Sequence, residues 1–200
     1  DTLVLSDSDI AVGPLWLAQV TAALARPGVG IVTCLYTGEP AREGHPFWSS
    51  LAAMSISYTF LPNAVLGTSL GLASPCFGST IALRRQTLDE VGGFAAFADQ
   101  LADDYEMGRA VREMGYTLAI PAMGVGHTAA ETSLRDLFRH ELRWSRTIRL
   151  VTPACHLGSF VTHGFVFALL AAILLQFNPA SLALLMAALG SRLFVKFRIR

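Results

Sequence analysis

The sequence predicts an α/β domain followed by transmembrane helices. Short β-rich runs alternate with helical runs through the first 120 residues, which is the order of a layered α/β fold. Leu157–Phe177 is a run of 21 residues without a charged Asp, Glu, Lys or Arg, long enough to cross a bilayer. Hydrophobic residues make up 52% of the chain and charged residues only 15%, against about 25% in ordinary soluble domains. Part of the surface is therefore expected to meet lipid.

The α/β part is predicted from strand and helix patterns separated by Gly and Pro. Residues 2–6 read as a short apolar strand, and Gly30–Tyr36 as a second strand of the same sheet. The helix between them, Leu15–Ala25, ends at Pro27 and Gly28. Later elements are expected in the order strand Gly78–Leu83, helix Arg85–Val91, helix Asp103–Met114 and strand Thr117–Ile120.

A charge-free segment follows the predicted strand Gly30–Tyr36 and extends through the predicted strand Gly78–Leu83. Residues 44–83 contain no Asp, Glu, Lys or Arg over forty positions, but Pro46, Pro62 and Pro75 interrupt them. Because a transmembrane helix needs about 20 uninterrupted apolar residues, we expect the segment to line a cleft or to lie at the membrane interface. An ordinary buried helix and loop is the alternative.

Leu134–Val151 has the most regular helical pattern in the chain. Five Arg side chains fall within an arc of about 120° on a 3.6-residue period, at positions 135, 139, 143, 146 and 149. Apolar side chains, including Leu137 and Trp144, fall opposite them. We predict an amphipathic interfacial helix within residues 134–155, with its Arg face toward lipid phosphates. A solvated basic face is the alternative.

Two apolar runs predict a transmembrane hairpin over residues 156–200. The first covers about 157–177, and the second covers about 180–195 after a break at Pro179. Basic residues follow the second run, at Lys196, Arg198 and Arg200. The positive-inside rule therefore predicts that this end and the Arg-rich helix are cytoplasmic in a multi-pass protein. A buried hairpin of a soluble protein is the alternative.

Charge and cysteine content exclude some functions. The 15 basic and 15 acidic residues balance, so no nucleic-acid partner is expected. Cys34, Cys76 and Cys155 lack Cys-x-x-Cys pairing and are expected to be reduced thiols in a cytosolic setting. The chain has no initiator Met and opens inside an expected strand, so we expect it to be part of a longer protein.

Asp7 and Asp9 come directly after the first predicted strand. Alternate side chains at a strand end point the same way, so both carboxylates can face one site. Hard oxygen ligands suit Mg²⁺ or Mn²⁺, which usually also binds substrate phosphate oxygens. Ordinary turn and capping chemistry is the alternative for such a pair.

A second acidic pair, Asp103 and Asp104, begins a predicted helix. One of two adjacent carboxylates can lie near a substrate hydroxyl and act as a general base. Helix capping by an Asp is the alternative.

The third polar element is the stretch from His140 to Trp144. The guanidinium of Arg143 can bind a leaving diphosphate through two parallel hydrogen bonds, and Trp144 can pack against a ring or an acyl chain. A lipid-facing Arg stripe is the alternative and is compatible with a leaving group at the membrane surface.

These elements, in this order and before a membrane hairpin, resemble the C-terminal part of a membrane-bound, family-2/21-like glycosyltransferase. The similarity is greatest to the ceramide glucosyltransferase group, which includes the hopanoid-biosynthesis-associated glycosyltransferases of bacteria. The matching stretches are DSDI at 7–10, GSTIALRRQTLDEVGGF at 78–94, LADDY at 101–105, GY at 115–116 and HELRW at 140–144. The resemblance implies that residues 1–133 are the C-terminal part of a GT-A (nucleotide-diphospho-sugar transferase) domain.

The resemblance also implies roles for individual residues. Asp7 and Asp9 would hold a divalent cation on the diphosphate of a UDP-sugar, and Asp104 would deprotonate the acceptor hydroxyl. Arg143 and Trp144 would contact the diphosphate and close the site. The acceptor side would include Gly78, Arg84 and Arg85.

Three positions add to or depart from the family pattern. His140 stands where the motif has Gln or Arg, and we expect it to bind substrate in their place. Asp103 replaces the usual Glu. His127 is expected to follow a strand, where related transferases sometimes place a further metal ligand, and a structural His is the alternative.

The implied reaction is transfer of glucose or N-acetylglucosamine from a UDP-sugar to a membrane lipid hydroxyl, with inversion and with Mg²⁺ or Mn²⁺ as cofactor. The bacterial inner membrane is the expected location, with ceramide- or hopanoid-type lipids as acceptors. The alternatives are a processive polysaccharide synthase, which would normally have Gln at position 140, and a catalytically inactive membrane-anchored binding module.

Overall fold

The computed structural model describes residues 1–42 and 46–198. Two residues of the charge-free segment, Gly44 and His45, and Arg200 of the basic tail lie outside the described residues. The chain divides into two compact units, Asp1–Val151 and Thr152–Arg200. The Arg-rich helix, predicted as part of a separate segment 134–155, belongs to the first unit.

The first unit alternates strands and helices, as predicted for an α/β domain. Its strands are β1 (Thr2–Leu5), β2 (Ile10–Ala11), β3 (Val29–Thr33), β4 (Leu35–Pro40), β5 (Ile81–Arg84), β6 (Thr117–Ala119) and β7 (Gly124–Ala129). Its α-helices are α1 (Trp16–Leu24), α2 (Pro46–Ser55), α3 (Leu61–Ser69), α4 (Arg85–Glu90), α5 (Asp103–Glu113) and α6 (Leu134–Val151). A π-helical turn, Ile56–Phe60, joins α2 to α3, and a 3₁₀ turn, Phe94–Phe97, precedes α5.

The strands form two sheets. The larger has the order β1-β5-β3-β6, in which β5 is antiparallel to both neighbours and β3 is parallel to β6. The smaller has the order β2-β7-β4, with β7 antiparallel to β2 and parallel to β4. Strands β1 and β3 therefore share a sheet, as expected, but β5 lies between them.

The prediction of one strand over Gly30–Tyr36 was wrong. The chain forms β3 and then β4, which belong to different sheets, and Cys34 separates them. The carbonyl of Cys34 accepts a hydrogen bond from the Ser79 hydroxyl at 2.9 Å, in place of a strand partner. A side-chain bond at this point frees the backbone to leave the first sheet and enter the second.

The larger sheet is buried on both faces because side chains alternate along its central strands. Val32 of β3 and Ala82 of β5 face one side, where Val20 and Leu24 of α1 complete a cluster. On the other side Ile31 and Leu83 pack in a cluster that also contains, from α5, Met107 and Val111. The sheet is thus enclosed by α1 and α5, and its strand ends carry the polar loops.

The charge-free segment forms two helices and a loop. Buried Ala52 and Ala53 of α2 lie on β4, where a Cβ on Gly38 would be only 2.5 Å from the Cα of Ala53. In the π-helical turn, the Ser57 hydroxyl accepts the Gly38 N–H at 3.0 Å. Helix α3 has no buried residue, so the alternative of a buried helix does not describe it.

Strand β7 differs from the sequence prediction. His127 was expected to follow a strand, but it lies inside β7, opposite Ile10 of β2 and Gly38 of β4. Two glycines, Gly124 and Gly126, weaken the strand pattern of this segment. A Cβ on Gly126 would lie 2.5 Å from a carboxylate oxygen of Glu39, an exposed side chain that would have to move to make room.

The second unit is helical. It contains α7 (Pro153–Gly158), a 3₁₀ turn (Ser159–His163), α8 (Gly164–Leu174) and α9 (Pro179–Arg198). Among the described residues, Pro153–Leu174 is the one helical run long and apolar enough to cross a membrane, with 22 residues and a mean hydropathy of 2.0. Pro179–Phe194 is a shorter apolar helix.

The first apolar helix ends earlier than the predicted limit near residue 177. Gln176 and Phe177 adopt left-handed backbone conformations, with φ of 51° and 56°. Asn178 then caps α9, since its side-chain oxygen accepts the N–H of Ser181 at 2.9 Å. Residues 175–177, which were assigned to the first membrane span, therefore form the turn between α8 and α9.

Candidate functional site

A cavity of about 450 Å³ in the first unit collects most of the residues singled out in the sequence. The predicted residues that line it are Asp7, Asp9, Gly78, Asp104, His127, His140, Arg143 and Trp144. They come from the ends of β1 and β2, the loop before β5, the first turn of α5, β7 and α6. Residues up to 137 positions apart in the chain, Asp7 and Trp144, thus meet at one place.

Asp7 and Asp9 are held by the turn that follows β1. The Ser6 hydroxyl donates to the Ser79 carbonyl at 2.9 Å, and the Asp7 carbonyl accepts the Ile10 N–H at 3.2 Å. The Asp9 carbonyl accepts the Thr128 N–H at 2.8 Å, which ties the turn to β7. Burial raises the pKa of the Asp7 carboxyl, and repulsion from Asp9 raises it further. A cation would relieve both effects.

His127 lies beside this carboxylate pair. Its Nε2 is 3.5 Å from Oδ2 of Asp9, and its ring stacks on Tyr36 with a centroid distance of 5.6 Å. The buried Nδ1 atom has no hydrogen-bond partner among the described residues. Ring contacts, chiefly the stack on Tyr36, therefore hold His127 in place.

The two acidic residues at the start of α5 have different surroundings. Oδ2 of Asp104 accepts the Gly78 N–H at 2.8 Å, and Oδ1 accepts the Tyr105 N–H at 2.7 Å. Burial nevertheless raises the pKa of Asp104 above its ordinary value. Asp103 is exposed and accepts the Asp104 N–H at 3.0 Å. Asp103 thus does the local hydrogen bonding expected of a helix start, and Asp104 faces the cavity.

Gly78 lies between the two acidic groups. A Cβ added at this glycine would be 3.1 Å from Oδ2 of Asp7 and 3.4 Å from Oδ2 of Asp104. Both carboxylates therefore lie close to one point, and the missing side chain of Gly78 leaves that point open.

The residues in the cavity fit a cation held jointly with a substrate. No group of three His, Cys, Asp or Glu side chains within residues 1–42 and 46–198 has the arrangement of a complete metal site. Mg²⁺ commonly binds through one or two carboxylates and takes its other ligands from water and substrate phosphates. Asp7 and Asp9 supply two such carboxylates, and the imidazole of His127 lies beside Asp9.

Helix α6 brings aromatic and basic groups to the cavity. The ring of Trp144 meets the ring of His140 edge to face at a centroid distance of 4.5 Å, and lies 5.9 Å from Phe60 and 6.4 Å from Tyr36. Arg143 is exposed and lines the cavity, and it has no carboxylate partner in the part of the chain that the structure describes. Its guanidinium is available to an anionic ligand.

Arg84 and Arg85 were expected on the acceptor side of the site, as substrate-binding residues. Neither lines the cavity. The guanidinium of Arg84 donates to the carbonyls of Val29 at 2.8 Å and Leu24 at 2.6 Å, and so joins β5 to the end of α1. Arg85 is exposed at the first position of α4.

Sequence reasoning missed several residues at the site. Ser8, Tyr36, Phe77 and Ser79 line the cavity, and Glu131 is hydrogen-bonded to His140. Tyr36 carried one signal, since it is the last residue of a predicted strand, and Asp7 directly follows another. Its hydroxyl is buried, which raises the pKa of Tyr36. Nothing in the sequence around Glu131 distinguishes it from a surface residue before a helix.

A family model and a solved structure match this chain. The family model is described as glycosyl transferase family 21 and matches residues 1–200. The solved structure is the mannosyltransferase PcManGT from Pyrobaculum calidifontis in complex with GDP-Man and Mn²⁺, at 18% sequence identity and a TM-score of 0.47. The match covers 98% of this chain and 63% of that one, so the chain spans less than two thirds of its length.

Proposed function

This chain belongs to glycosyl transferase family 21, and on that premise we propose that it transfers a sugar from a UDP-sugar to a lipid hydroxyl. The family supports transfer of a glycosyl group. The proposed donor sugar is glucose or N-acetylglucosamine, and the proposed acceptor is a membrane lipid of ceramide or hopanoid type. The first unit is then the C-terminal part of a GT-A domain, and the reaction inverts the anomeric carbon.

The observation that carries the proposal is the approach of Asp7 and Asp104 to one point beside Gly78. Asp7 belongs to the carboxylate pair that can bind a cation, and Asp104 is the carboxylate that can accept a proton. We propose that these two acidic groups serve the leaving group and the nucleophile of one displacement, which lie on opposite faces of the sugar.

Asp104 is the proposed base. Its two backbone hydrogen bonds, from Gly78 and Tyr105, fix the carboxylate, and burial raises its pKa and so its affinity for a proton. Asp104 takes the proton from the acceptor hydroxyl as the hydroxyl oxygen attacks the anomeric carbon. A single base is sufficient because a metal-bound diphosphate leaves without protonation. Hydrolytic glycosidases, in contrast, use two carboxylates on one bond.

The leaving diphosphate is the proposed ligand of Asp7, Asp9 and Arg143. The two carboxylates, with His127 beside Asp9, would hold Mg²⁺ or Mn²⁺ together with phosphate oxygens of the donor. A cation bound there neutralises charge on the diphosphate. Arg143 donates to phosphate oxygens from α6, and Trp144 packs beside it to exclude water.

The lipid side of the proposal rests on exposed apolar residues in both units. In the first unit these include Leu51 and Met54 of α2 and Val65 and Leu66 of α3. The second unit supplies the apolar run Pro153–Leu174. We propose a multi-pass protein of the bacterial inner membrane, with its catalytic unit cytoplasmic and the exposed Arg side chains of α6 at the phosphate layer.

The test uses full-length protein in membranes, radiolabelled UDP-sugars and extracted lipids. Asp104→Asn is expected to lower lipid labelling by a factor of about 10² to 10⁴, since it removes a general base while keeping the side-chain shape. Asp103→Asn is the matched control and is expected to retain activity, because Asp103 is exposed and outside the cavity. Equal labelling by the wild type and Asp104→Asn would overturn the assigned base.

Other outcomes identify the alternative functions. Label in a water-soluble polymer rather than in lipid would indicate a processive polysaccharide synthase. Binding of UDP-sugar without transfer to any lipid would indicate an inactive membrane-anchored binding module.

A further inference from the structure

Glu131 lies between β7 and α6, outside every motif singled out in the sequence. Its side chain is only 9% exposed, which is unusual for Glu and calls for a polar partner. That partner is His140, whose Nδ1 is hydrogen-bonded to Oε1 of Glu131. Two atoms of the pair, Glu131 Oε2 and His140 Nε2, are buried without a hydrogen-bond partner among the described residues.

The hydrogen bond determines which ring nitrogen carries hydrogen. A carboxylate only accepts, so Nδ1 of His140 is the N–H donor. In the neutral ring Nε2 is then an acceptor with a free lone pair. A carboxylate that holds one imidazole nitrogen in this way sets both the tautomer and the orientation of the ring.

The ring is also held from a second side. Trp144, one helical turn further along α6, meets the His140 ring edge to face at a centroid distance of 4.5 Å. His140 lines the cavity, whereas Glu131 does not. The pair therefore places an oriented ring in the site while keeping its carboxylate outside.

We propose that Glu131 is a positioning residue, which holds His140 so that Nε2 accepts a hydrogen bond from a substrate hydroxyl. This inference rests on the proposed glycosyl transfer, in which two molecules bring hydroxyls to the cavity. One source is the donor sugar and the other is the lipid acceptor. Nε2 of His140 is a buried acceptor without a protein partner in the described part of the chain, and leaving it unpaired costs free energy. Either hydroxyl would therefore be favoured over a ligand that lacks one.

The test is a double-mutant cycle in the full-length protein, with Glu131→Gln and His140→Gln. Glu131→Gln removes the carboxylate at constant size and is expected to lower kcat/KM by about tenfold, as loss of an orienting partner does. In the His140→Gln background the same substitution is expected to change kcat/KM by less than about twofold. Equal losses in both backgrounds would show that Glu131 acts independently of His140 and would overturn the proposal.

The kinetic constants also identify the hydroxyl. A rise in the KM of the UDP-sugar would assign the donor sugar, and a rise in the KM of the lipid would assign the acceptor. Glu131→Asp keeps a carboxylate and is expected to recover part of the lost activity. Glu141→Gln is the matched control on α6, since Glu141 accepts a hydrogen bond from Ser55 at 2.7 Å and does not line the cavity.

A second measurement does not depend on transfer. Nitrogen-15 NMR of histidine-labelled protein in detergent, with the His140 signal assigned by its loss in His140→Gln, reports which ring nitrogen is protonated. We expect the Nδ1–H form in the wild type and a shift toward Nε2–H in Glu131→Leu, which removes the acceptor oxygen that Gln would keep. An Nε2–H form in the wild type would contradict the inference even if no sugar transfer were found. Absence of transfer with the expected tautomer would count against the proposed function alone.

Discussion

The backbone N–H of Gly78 donates a hydrogen bond to Oδ2 of Asp104, with a nitrogen to oxygen distance of 2.8 Å. This bond joins the loop before β5 to the first turn of α5. Oδ2 of Asp7 also lies near this glycine, 3.1 Å from the position that a Cβ would occupy. Gly78 thus lies close both to Asp7, the proposed cation ligand, and to Asp104, the proposed base.

Gly78→Ala is expected to reduce sugar transfer by about tenfold or more, because the added methyl group displaces one carboxylate or both. Gly78 does not have a positive φ, so backbone strain does not contribute to the effect. Gly13→Ala is the matched control, since a Cβ at Gly13 meets nothing within 4 Å. Steady-state kinetics in membranes measures both variants. Wild-type activity in Gly78→Ala would show that the carboxylates need not keep this spacing.

The rate is expected to fall on the acid side as protons bind to Asp104. Burial raises the pKa of this carboxyl above its ordinary value of 3.8, and a base must be deprotonated to act. The acid limb of kcat/KM should therefore lie at a pH above 3.8. A pH profile from about pH 4 to about pH 9, at saturating Mn²⁺, measures it. If kcat/KM stayed unchanged down to about pH 4, this would count against Asp104 as the base.

Asp7→Asn is expected to make the metal-free protein more resistant to heat at neutral pH and to lower its activity about 100-fold. Because folding raises the pKa of Asp7, the native state binds its proton more tightly than the unfolded state does. The ionised carboxylate therefore costs stability once the pH rises through the raised pKa. The Asn side chain removes that cost, and the advantage should vanish in acid.

Melting temperatures of the wild type and of Asp7→Asn, with and without Mn²⁺, test the same assignment. Mn²⁺ should raise the melting temperature of the wild type and should have less effect on Asp7→Asn, since ligand binding stabilises the folded state. Asp99→Asn is the control, because Asp99 is exposed and outside the cavity. EDTA should abolish transfer by the wild type, and added Mg²⁺ or Mn²⁺ should restore it. Unchanged activity in EDTA would exclude an essential cation.

Gly108→Ala is expected to destabilise the protein by about 1–3 kcal/mol, although Ala usually favours a helix over Gly. A Cβ at position 108 of α5 would lie 2.4 Å from the Cβ of Cys76, in the loop that leads to Gly78. Gly190→Ala in α9 is the contrast, since its Cβ meets nothing within 4 Å. That variant should be neutral or stabilised by up to about 1 kcal/mol. Thermal unfolding of both variants in detergent measures the difference. Equal effects would mean that α5 can move away from Cys76.

Local sequence patterns predicted several elements closely. Helix α6 has the predicted limits, Leu134 and Val151, and α5 begins at the predicted Asp103. In α6 the regular Arg spacing marks the helix, and in α5 the acidic first turn marks its start. Such signals act over one or two turns and need no knowledge of distant residues.

Predictions failed where distant contacts decide the structure. Residues 30–36 have the composition of one strand, but the Ser79 hydroxyl binds the Cys34 carbonyl and divides the segment between two sheets. The resemblance assigned Arg84, within the matching stretch 78–94, to substrate binding; the structure shows that its guanidinium donates to carbonyls 55 and 60 positions away in the chain. Neither partner can be read from the sequence around these residues.

The sequence by itself determined the chemical groups of the site and their order along the chain, because each group occurs in a short pattern with a local signal. The tertiary structure alone decided which of these side chains enter the cavity. Asp104 faces inward and Asp103 outward because α5 packs with one side against the sheet, and adjacent residues on a helix point about 100° apart. Glu131, which lies outside the cavity, contacts His140 because the chain between β7 and α6 brings the two side chains together.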